Sequence, residues 1–152
     1  MTSDEVIQEL SRKGFHVEAA DASSCGYHLG VILDPFKVRL FAETLLSLGF
    51  FIDFLTAVDL SPTIQLIYQF AHFEMPCRIN ARVSLPESGG VETISDIYQG
   101  ADWHEREAKD FFGVVFKGHP NLTPLILCDE DHDLKPLLKK EGEKKSLEEV
   151  GW

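Results

Sequence analysis

A chain of 152 residues has the length of one domain and can bury a core of its own. Its 44% hydrophobic and 26% charged residues are ordinary for a folded protein, and its net charge of −11 argues against a nucleic-acid surface. The sequence has no apolar stretch near the roughly 20 residues of a membrane-spanning helix, and its start lacks the pattern of a secretory signal. We therefore expect a soluble intracellular protein that meets a membrane only through a partner.

Two helix patterns and five strand patterns precede residue 86. Thr2 with Glu5 forms a capping box that opens the first helix, and Asp34 followed by Pro35 opens the second. The predicted helices cover residues 3–13 and 34–48. The predicted strands cover residues 15–19, 27–33, 50–60, 63–73 and 77–85. Tight turns join the last three strands, which predicts an antiparallel meander.

A loop at 86–90 and a short helix at 91–99, through Ile94, Ile97 and Tyr98, are predicted next. Residues 1–118 are therefore predicted to form one α+β domain with two layers, a mostly antiparallel sheet with helices on one face.

Residues 119–152 have too little apolar surface to fold alone. We expect an extended tail that docks on a partner, because the apolar side chains of the segment would otherwise stay in water. These are Leu122, Leu125, Ile126 and Leu127. The alternative is that this segment folds back over the domain's own sheet.

A third helix is predicted from Trp103 to Phe112, with Asp102 as its N-cap and Gly113 as its stop. Glu105 would complete an acidic variant of the capping box at the start of this helix.

Side chains four residues apart share a face of this helix. Trp103, Glu107 and Phe111 form one such face, and a second pattern places Arg106 between Asp102 and Asp110. Glu105 and Lys109 form a further charged pair. We expect a salt-bridged helix packed by its aromatic residues, with no catalytic residue.

Metal and redox chemistry have weak support in the sequence. His104, Glu107 and His119 could bind a metal jointly in a stand-alone metalloenzyme, but further ligands are not evident and His104 is expected to be solvent-exposed. The three cysteines, Cys25, Cys77 and Cys128, lie far apart, which fits free thiols in a reducing compartment and not an iron–sulfur site. No cofactor-binding motif occurs.

The run Trp-x-Glu-Arg-Glu-x-x-Asp-Phe-Phe-Gly-Val-x-Phe-x-Gly-His-Pro-Asn-Leu resembles the signature of the C subunit of respiratory complex I and of its relatives in membrane-bound hydrogenases and formate hydrogenlyase. The resemblance is specific over residues 101–122. The residues on signature positions are Trp103, Glu105, Arg106, Glu107, Asp110, Phe112, Gly113, Gly118, His119 and Pro120.

The resemblance implies a non-catalytic subunit without flavin or iron–sulfur cluster. In such complexes this subunit packs beside a large, hydrogenase-related subunit near the quinone site and beside a neighbouring iron–sulfur subunit, at the cytoplasmic face of the membrane. The segment after His119 and Pro120 would wrap onto the large subunit, and the signature residues would form the interface with this partner, with Glu107 and His119 at its boundary.

Three departures bear on the parent complex. Thr123 and Pro124 stand where complex I members usually have two arginines, Cys128 stands where proline is common, and His132 replaces a tryptophan. NADH:quinone oxidoreductase is the expected parent complex, and a membrane-bound hydrogenase or formate hydrogenlyase is the alternative.

Overall fold

The computed structural model describes residues 2–86, 89–140 and 142–151. The predicted loop residues Glu87 and Ser88 and the predicted tail residues Glu141 and Trp152 lie outside these described residues. The helices are α1 (Ser3–Arg12), α2 (Ala22–Cys25), α3 (Val38–Ser47) and α4 (Ala101–Phe112). The strands are β1 (Val17–Ala19), β2 (Leu29–Ile32), β3 (Phe50–Asp59), β4 (Ile64–His72), β5 (Arg78–Ser84), β6 (Gly90–Glu92) and β7 (Val115–Lys117).

Five strands form the main sheet in the order β1-β2-β5-β4-β3. The predicted meander of β3, β4 and β5 is confirmed, with Tyr68 of β4 opposite both Leu55 and Ala81. β1 also pairs antiparallel with β2, whereas β2 runs parallel to β5. The sheet is therefore mostly antiparallel, and the α+β class is confirmed.

The helices pack on one face of this sheet because its alternate side chains are apolar. Phe41 of α3 lies edge-on to Phe70 of β4, with ring centroids 5.9 Å apart. Phe70 in turn contacts Tyr98, whose hydroxyl donates to the carbonyl of Phe50 at 3.1 Å. Val6 and Leu10 of α1 are fully buried in the same core.

The predicted start of α1 is confirmed by its cap, whereas the predicted cap Asp34 opens a 3-10 turn and α3 begins four residues later, at Val38. Thr2 and Glu5 form the capping box of α1, and the side chain of Asp34 accepts the N–H of Phe36 at 2.9 Å. A 3-10 turn at Pro35–Lys37 precedes α3. The loop predicted between the first two strands contains the short helix α2, which is capped by Asp21.

The predicted helix at 91–99 is wrong. Its first residues form β6, which pairs parallel to β7 and sets Val91 opposite Phe116. Ile94 and Tyr98 are buried as their spacing suggested, but they sit in a succession of turns. The non-local partner strand decides this conformation, and no local pattern encodes it.

Residues 119–151, named here the C-terminal segment, contact the domain at several places. Within its described part the segment contains no helix and no named strand. It crosses α4, contacts the end of β3 and forms a bridge between Ser146 and Ser61. Docking of the segment on a partner stays a prediction.

Candidate functional site

The site is built on α4, which has 12 residues and no side-chain cap at its start. Gly100 occupies the N-cap position, so the predicted capping by Asp102 and Glu105 is wrong. Gly113 ends the helix with φ 75°, in the left-handed region that favours glycine. A Cβ there would lie 3.2 Å from Cδ of Lys135, so glycine also lets the C-terminal segment approach.

Glu105 is the buried centre of α4 and not a solvent-exposed cap. Its relative exposure is 0%, and its Oε1 accepts the N–H of Ile94 at 2.8 Å. The hydroxyl of Thr93 donates to Oε2, and Thr93 also contacts the hydroxyl of Ser95 at 2.8 Å. Glu105 therefore fixes the turn after β6 against α4.

Burial raises the pKa of Glu105 to about 7, because the charged form loses its hydration. The hydrogen bonds from Ile94 and Thr93 act in the opposite direction, and the negative charges of Asp102 and Asp96 add to the rise. The predicted ion pair between Glu105 and Lys109 is wrong, since Lys109 donates to the carbonyl of Leu122 instead.

His119 anchors the start of the C-terminal segment. Its side chain is fully buried, and Nδ1 accepts the N–H of Asn121 at 3.1 Å. Nε2 therefore carries the hydrogen and donates to the carbonyl of Asp102 at 3.3 Å. The carboxylates of Asp102 and Glu105 lie 3.7 and 3.8 Å from Nε2.

Asp110 holds the next part of the segment. Its Oδ2 accepts three successive backbone N–H groups, from Leu125 and Ile126 at 2.8 Å and from Leu127 at 3.2 Å. Burial alone would raise the pKa of Asp110, but these donors, with Lys109 nearby, hold the pKa below its ordinary value.

Arg106 binds the C-terminal segment and lies near only one of the two acids predicted as its partners. Its guanidinium donates to the carbonyls of Thr123 at 3.0 Å and Pro124 at 2.9 Å. Asp102 lies 3.8 Å away, which agrees with one half of the prediction. The other half is wrong, because Asp110 is engaged by backbone N–H groups.

Asp59, a third buried acid at the end of β3, binds the part of the C-terminal segment that lies farthest along the chain. Its side chain is fully buried; Lys144 Nζ lies 3.0 Å from Oδ1, and the N–H of Lys139 donates to Oδ2 at 2.8 Å. Ser61 donates its N–H to the carbonyl of Lys145 at 2.9 Å. The C-terminal segment is therefore bound to the domain at two places, by Arg106 and Asp110 of α4 and by Asp59 and Ser61 at the end of β3.

An open groove of about 910 Å³ lies on the outer side of α4. The residues that line it are Gln99, Gly100, Trp103, His104, Glu107, Leu125 and Ile126. Trp103 and Ile126 are 68% and 55% exposed. Apolar surface of this kind, next to a carboxylate, is suited to binding a partner.

The remaining signature residues have structural positions. Phe112 packs against the core, and Gly118 has φ 82° beside Thr93. Pro120 is exposed in the turn that follows His119. Cys77 is buried, as its place in a strand predicted, and all three cysteines are free thiols.

The predicted metal ligands are not brought together. His104 and Glu107 are 4.0 Å apart at the groove, whereas His119 is buried against Asp102. The described residues contain no group of three histidine, cysteine, aspartate or glutamate side chains that could hold a metal ion.

Thr93, Asp59 and the buried position of Glu105 were not predicted from the sequence. A signal for Glu105 was present: it lies on one stripe of α4 with Ala101 and Ala108, both buried small residues. Asp59 had no such signal, because its partner Lys139 is 80 positions away.

The chain is similar to known proteins over most of its length. The family model described as "Respiratory-chain NADH dehydrogenase, 30 Kd subunit" matches residues 31–146. The C subunit of F(420)H(2) dehydrogenase from Methanosarcina mazei is 34% identical over 77 residues, which are 50% of this chain and 49% of that protein. The C subunit of NADH-quinone oxidoreductase from Rhodopseudomonas palustris is 37% identical over 87 residues, 55% of this chain and 43% of that protein.

A solved structure gives a longer match. A chain in the "Structure of the membrane-bound sulfane sulfur reductase (MBS), an archaeal respiratory membrane complex" has a TM-score of 0.79 and 26% identity. The match covers 97% of this chain and 87% of that one. By contrast, the matched part of this chain spans about half or less of the curated relatives' length.

These likenesses define the class as an α+β domain of the type found in small subunits of respiratory complexes. More particularly, the chain belongs to the family of the 30 kDa subunit of respiratory-chain NADH dehydrogenase. None of the helices in the described ranges is both long and apolar enough to cross a membrane.

Proposed function

We propose that this chain is a non-catalytic subunit in the peripheral arm of a membrane-associated NADH:quinone oxidoreductase of the complex I type. It would dock the hydrogenase-like large subunit near the quinone site, beside a neighbouring iron–sulfur subunit at the cytoplasmic face, and so support electron transfer. The observation that carries this proposal is the family match over residues 31–146. The name of the relative in Rhodopseudomonas palustris supports the same parent complex.

The chemistry of α4 supports a structural role. Glu105 accepts hydrogen bonds from the domain and Asp110 accepts them from the C-terminal segment, so neither carboxylate is free to act on a substrate. In this proposal the chain holds no cofactor of its own.

The surface of the C-terminal segment supports docking. Leu134, Leu137 and Leu138 are 65%, 50% and 42% exposed, although the segment around them is held by Asp110 and Asp59. Leucines displayed on a fixed backbone can enter a partner surface with little further ordering cost.

A second parent complex has a specific observation in its favour. The match to a chain of the sulfane sulfur reductase complex shows that this fold also occurs in a respiratory membrane complex of another name. A membrane-bound hydrogenase or formate hydrogenlyase is the alternative parent in this proposal.

The test is co-expression of the full chain with the hydrogenase-like large subunit of each of the two parent complexes, followed by size-exclusion chromatography. Removing residues 119–152 is a poor probe, because Asp110 and Asp59 would lose their partners. Instead, Leu134, Leu137 and Leu138 are replaced together by serine, with Phe36→Ser as the control at another exposed apolar position.

We expect the wild-type chain and the control to co-elute with the large subunit and the triple variant to elute alone. If the wild-type chain never co-elutes with the large subunit of either parent complex, the proposed function is wrong. Co-elution of the triple variant would show that these three leucines do not form the docking surface.

A further inference from the structure

We propose that the groove on the outer side of α4 is a recognition site for an arginine side chain of a partner protein, flanked by an apolar residue. The site consists of Trp103 and Glu107 with Leu125 and Ile126. This inference deepens the proposed function and rests on it for the identity of the partner.

The two residues that would bind the guanidinium have a spacing that puts them side by side. Trp103 and Glu107 are four positions apart on α4, so their side chains lie one turn apart on the same face. Both line the groove, and Trp103 is 68% exposed. An indole ring and a carboxylate on one helix face can stack on a guanidinium and pair with it at the same time.

The groove also shows charge complementarity to a guanidinium. Glu107 is the carboxylate among the lining residues, and its side chain is 46% exposed. The acids beside it on α4 are already engaged, because Asp110 accepts three backbone N–H groups and Asp102 faces Arg106 and His119. Glu107 has His104 at 4.0 Å, which leaves room for a stronger cationic partner.

Trp103 and Glu107 distinguish arginine from lysine and from a purely apolar anchor. A planar guanidinium stacks on an aromatic face and pairs with a carboxylate through two N–H groups, which an ammonium cannot do. A purely apolar anchor would bury Glu107 with only His104, 4.0 Å away, beside it, at a cost in free energy. Ile126, at 55% exposed, and Leu125 supply the apolar floor for the neighbouring residue.

Leu125 and Ile126 are held in place by the domain, so the groove keeps its shape before a partner binds. The backbone N–H groups of Leu125 and Ile126 are fixed by Asp110, and the preceding residues are fixed by Arg106. Preorganised sites lose less conformational entropy on binding. The signature helix and the segment that crosses it would therefore form one recognition surface.

The experiment measures the affinity of the full chain for the co-expressed large subunit with two conservative variants, Trp103→Leu and Glu107→Gln. The first keeps an apolar side chain but removes the aromatic face, and the second keeps the shape but removes the charge. Phe36→Leu and Glu74→Gln are matched controls at exposed positions outside the groove. We expect each groove variant to raise the Kd about tenfold or more and each control to leave it unchanged.

A second arm does not depend on the large subunit. The chain has two tryptophans, so the indole N–H resonance of Trp103 is assigned by Trp103→Leu. We expect acetyl-leucyl-arginine amide to shift this resonance in the wild-type chain and to shift it less in Glu107→Gln. Acetyl-leucyl-norleucine amide should leave it nearly unchanged.

The outcomes separate the two proposals. If the wild-type chain binds the large subunit and both groove variants bind equally well, the arginine site is wrong and the proposed function stands. If the wild-type chain does not bind but the arginine peptide selectively shifts Trp103, the proposed partner is wrong and the site stands. Equal responses to the two peptides overturn the arginine site.

Discussion

Two carboxylates on α4 have almost no contact with solvent but differ in their pKa values. Glu105 and Asp110 are 0% and 1% exposed. Burial raises the pKa of Glu105 to about 7, whereas the pKa of Asp110 lies below its ordinary value. Glu105 accepts one backbone N–H and one hydroxyl, but Asp110 accepts three backbone N–H groups.

Two causes separate the two acids: Glu105 lies deeper in the core and loses more hydration, and Asp110 receives more backbone N–H donors. Together they decide whether the ionised form is favoured. Asp110 receives its donors from the C-terminal segment, so its charge and the position of that segment stabilise each other. Glu105 receives fewer donors, so its ionisation costs more free energy.

The largest expected effect comes from breaking the Asp110 side of this comparison. Asp110→Ala leaves the N–H groups of Leu125, Ile126 and Leu127 without their acceptor. We expect the free energy of unfolding to fall by roughly 3 kcal/mol or more. Urea denaturation at neutral pH measures this loss. The control is Asp133→Ala, whose side chain is 89% exposed, and a loss as small as that of the control would contradict the assignment.

The second effect concerns Glu105, whose contribution to stability falls as the pH rises. Its pKa is about 7 in the folded state against 4.5 as the ordinary value, so the folded chain binds more protons between these values. The stabilisation from protonated Glu105 is therefore complete below about pH 4.5 and is lost as the pH rises through about 7. Asp110 behaves in the opposite way, because its stabilisation is lost as the pH falls.

Glu105→Gln removes this titration while keeping an acceptor for Ile94 and a donor for Thr93. We expect the stability of the variant relative to wild type to rise between about pH 5 and pH 8.5, by up to about 3 kcal/mol. Denaturation curves at a series of pH values measure the difference. Parallel pH profiles of the two proteins would contradict it, as would an NMR titration midpoint of the Glu105 carboxyl near its ordinary value.

The smallest expected effect sharpens the account of how the segment is held. Arg106→Ala removes donors to the carbonyls of Thr123 and Pro124, both of which can still reach water. We expect a loss of about 1–2 kcal/mol, less than for Asp110→Ala. Arg12→Ala, with a side chain 72% exposed, is the control and should change stability by no more than about 0.5 kcal/mol. A loss larger than that of Asp110→Ala would reverse the order of the two anchors.

Much of the fold could be predicted because its signals are local. Alternation along residues 50–85 predicted the meander, and Thr2 with Glu5 predicted the cap of α1. The same local rules failed at 91–99, since the pairing of β6 with β7 depends on residues more than 20 positions away. They also failed for Arg106, whose spacing suggested Asp110 but whose donors face the segment.

The order of residues was enough to indicate most elements of the domain, the α4 motif and, through that motif, the family. Packing in three dimensions was needed to show which acid has a raised pKa and which acid holds the C-terminal segment. It was also needed to show that Trp103 and Glu107 share a groove with Leu125 and Ile126. The physical reason is that helix spacing fixes which side chains are neighbours on α4, whereas pKa values and binding surfaces depend on what packs against them.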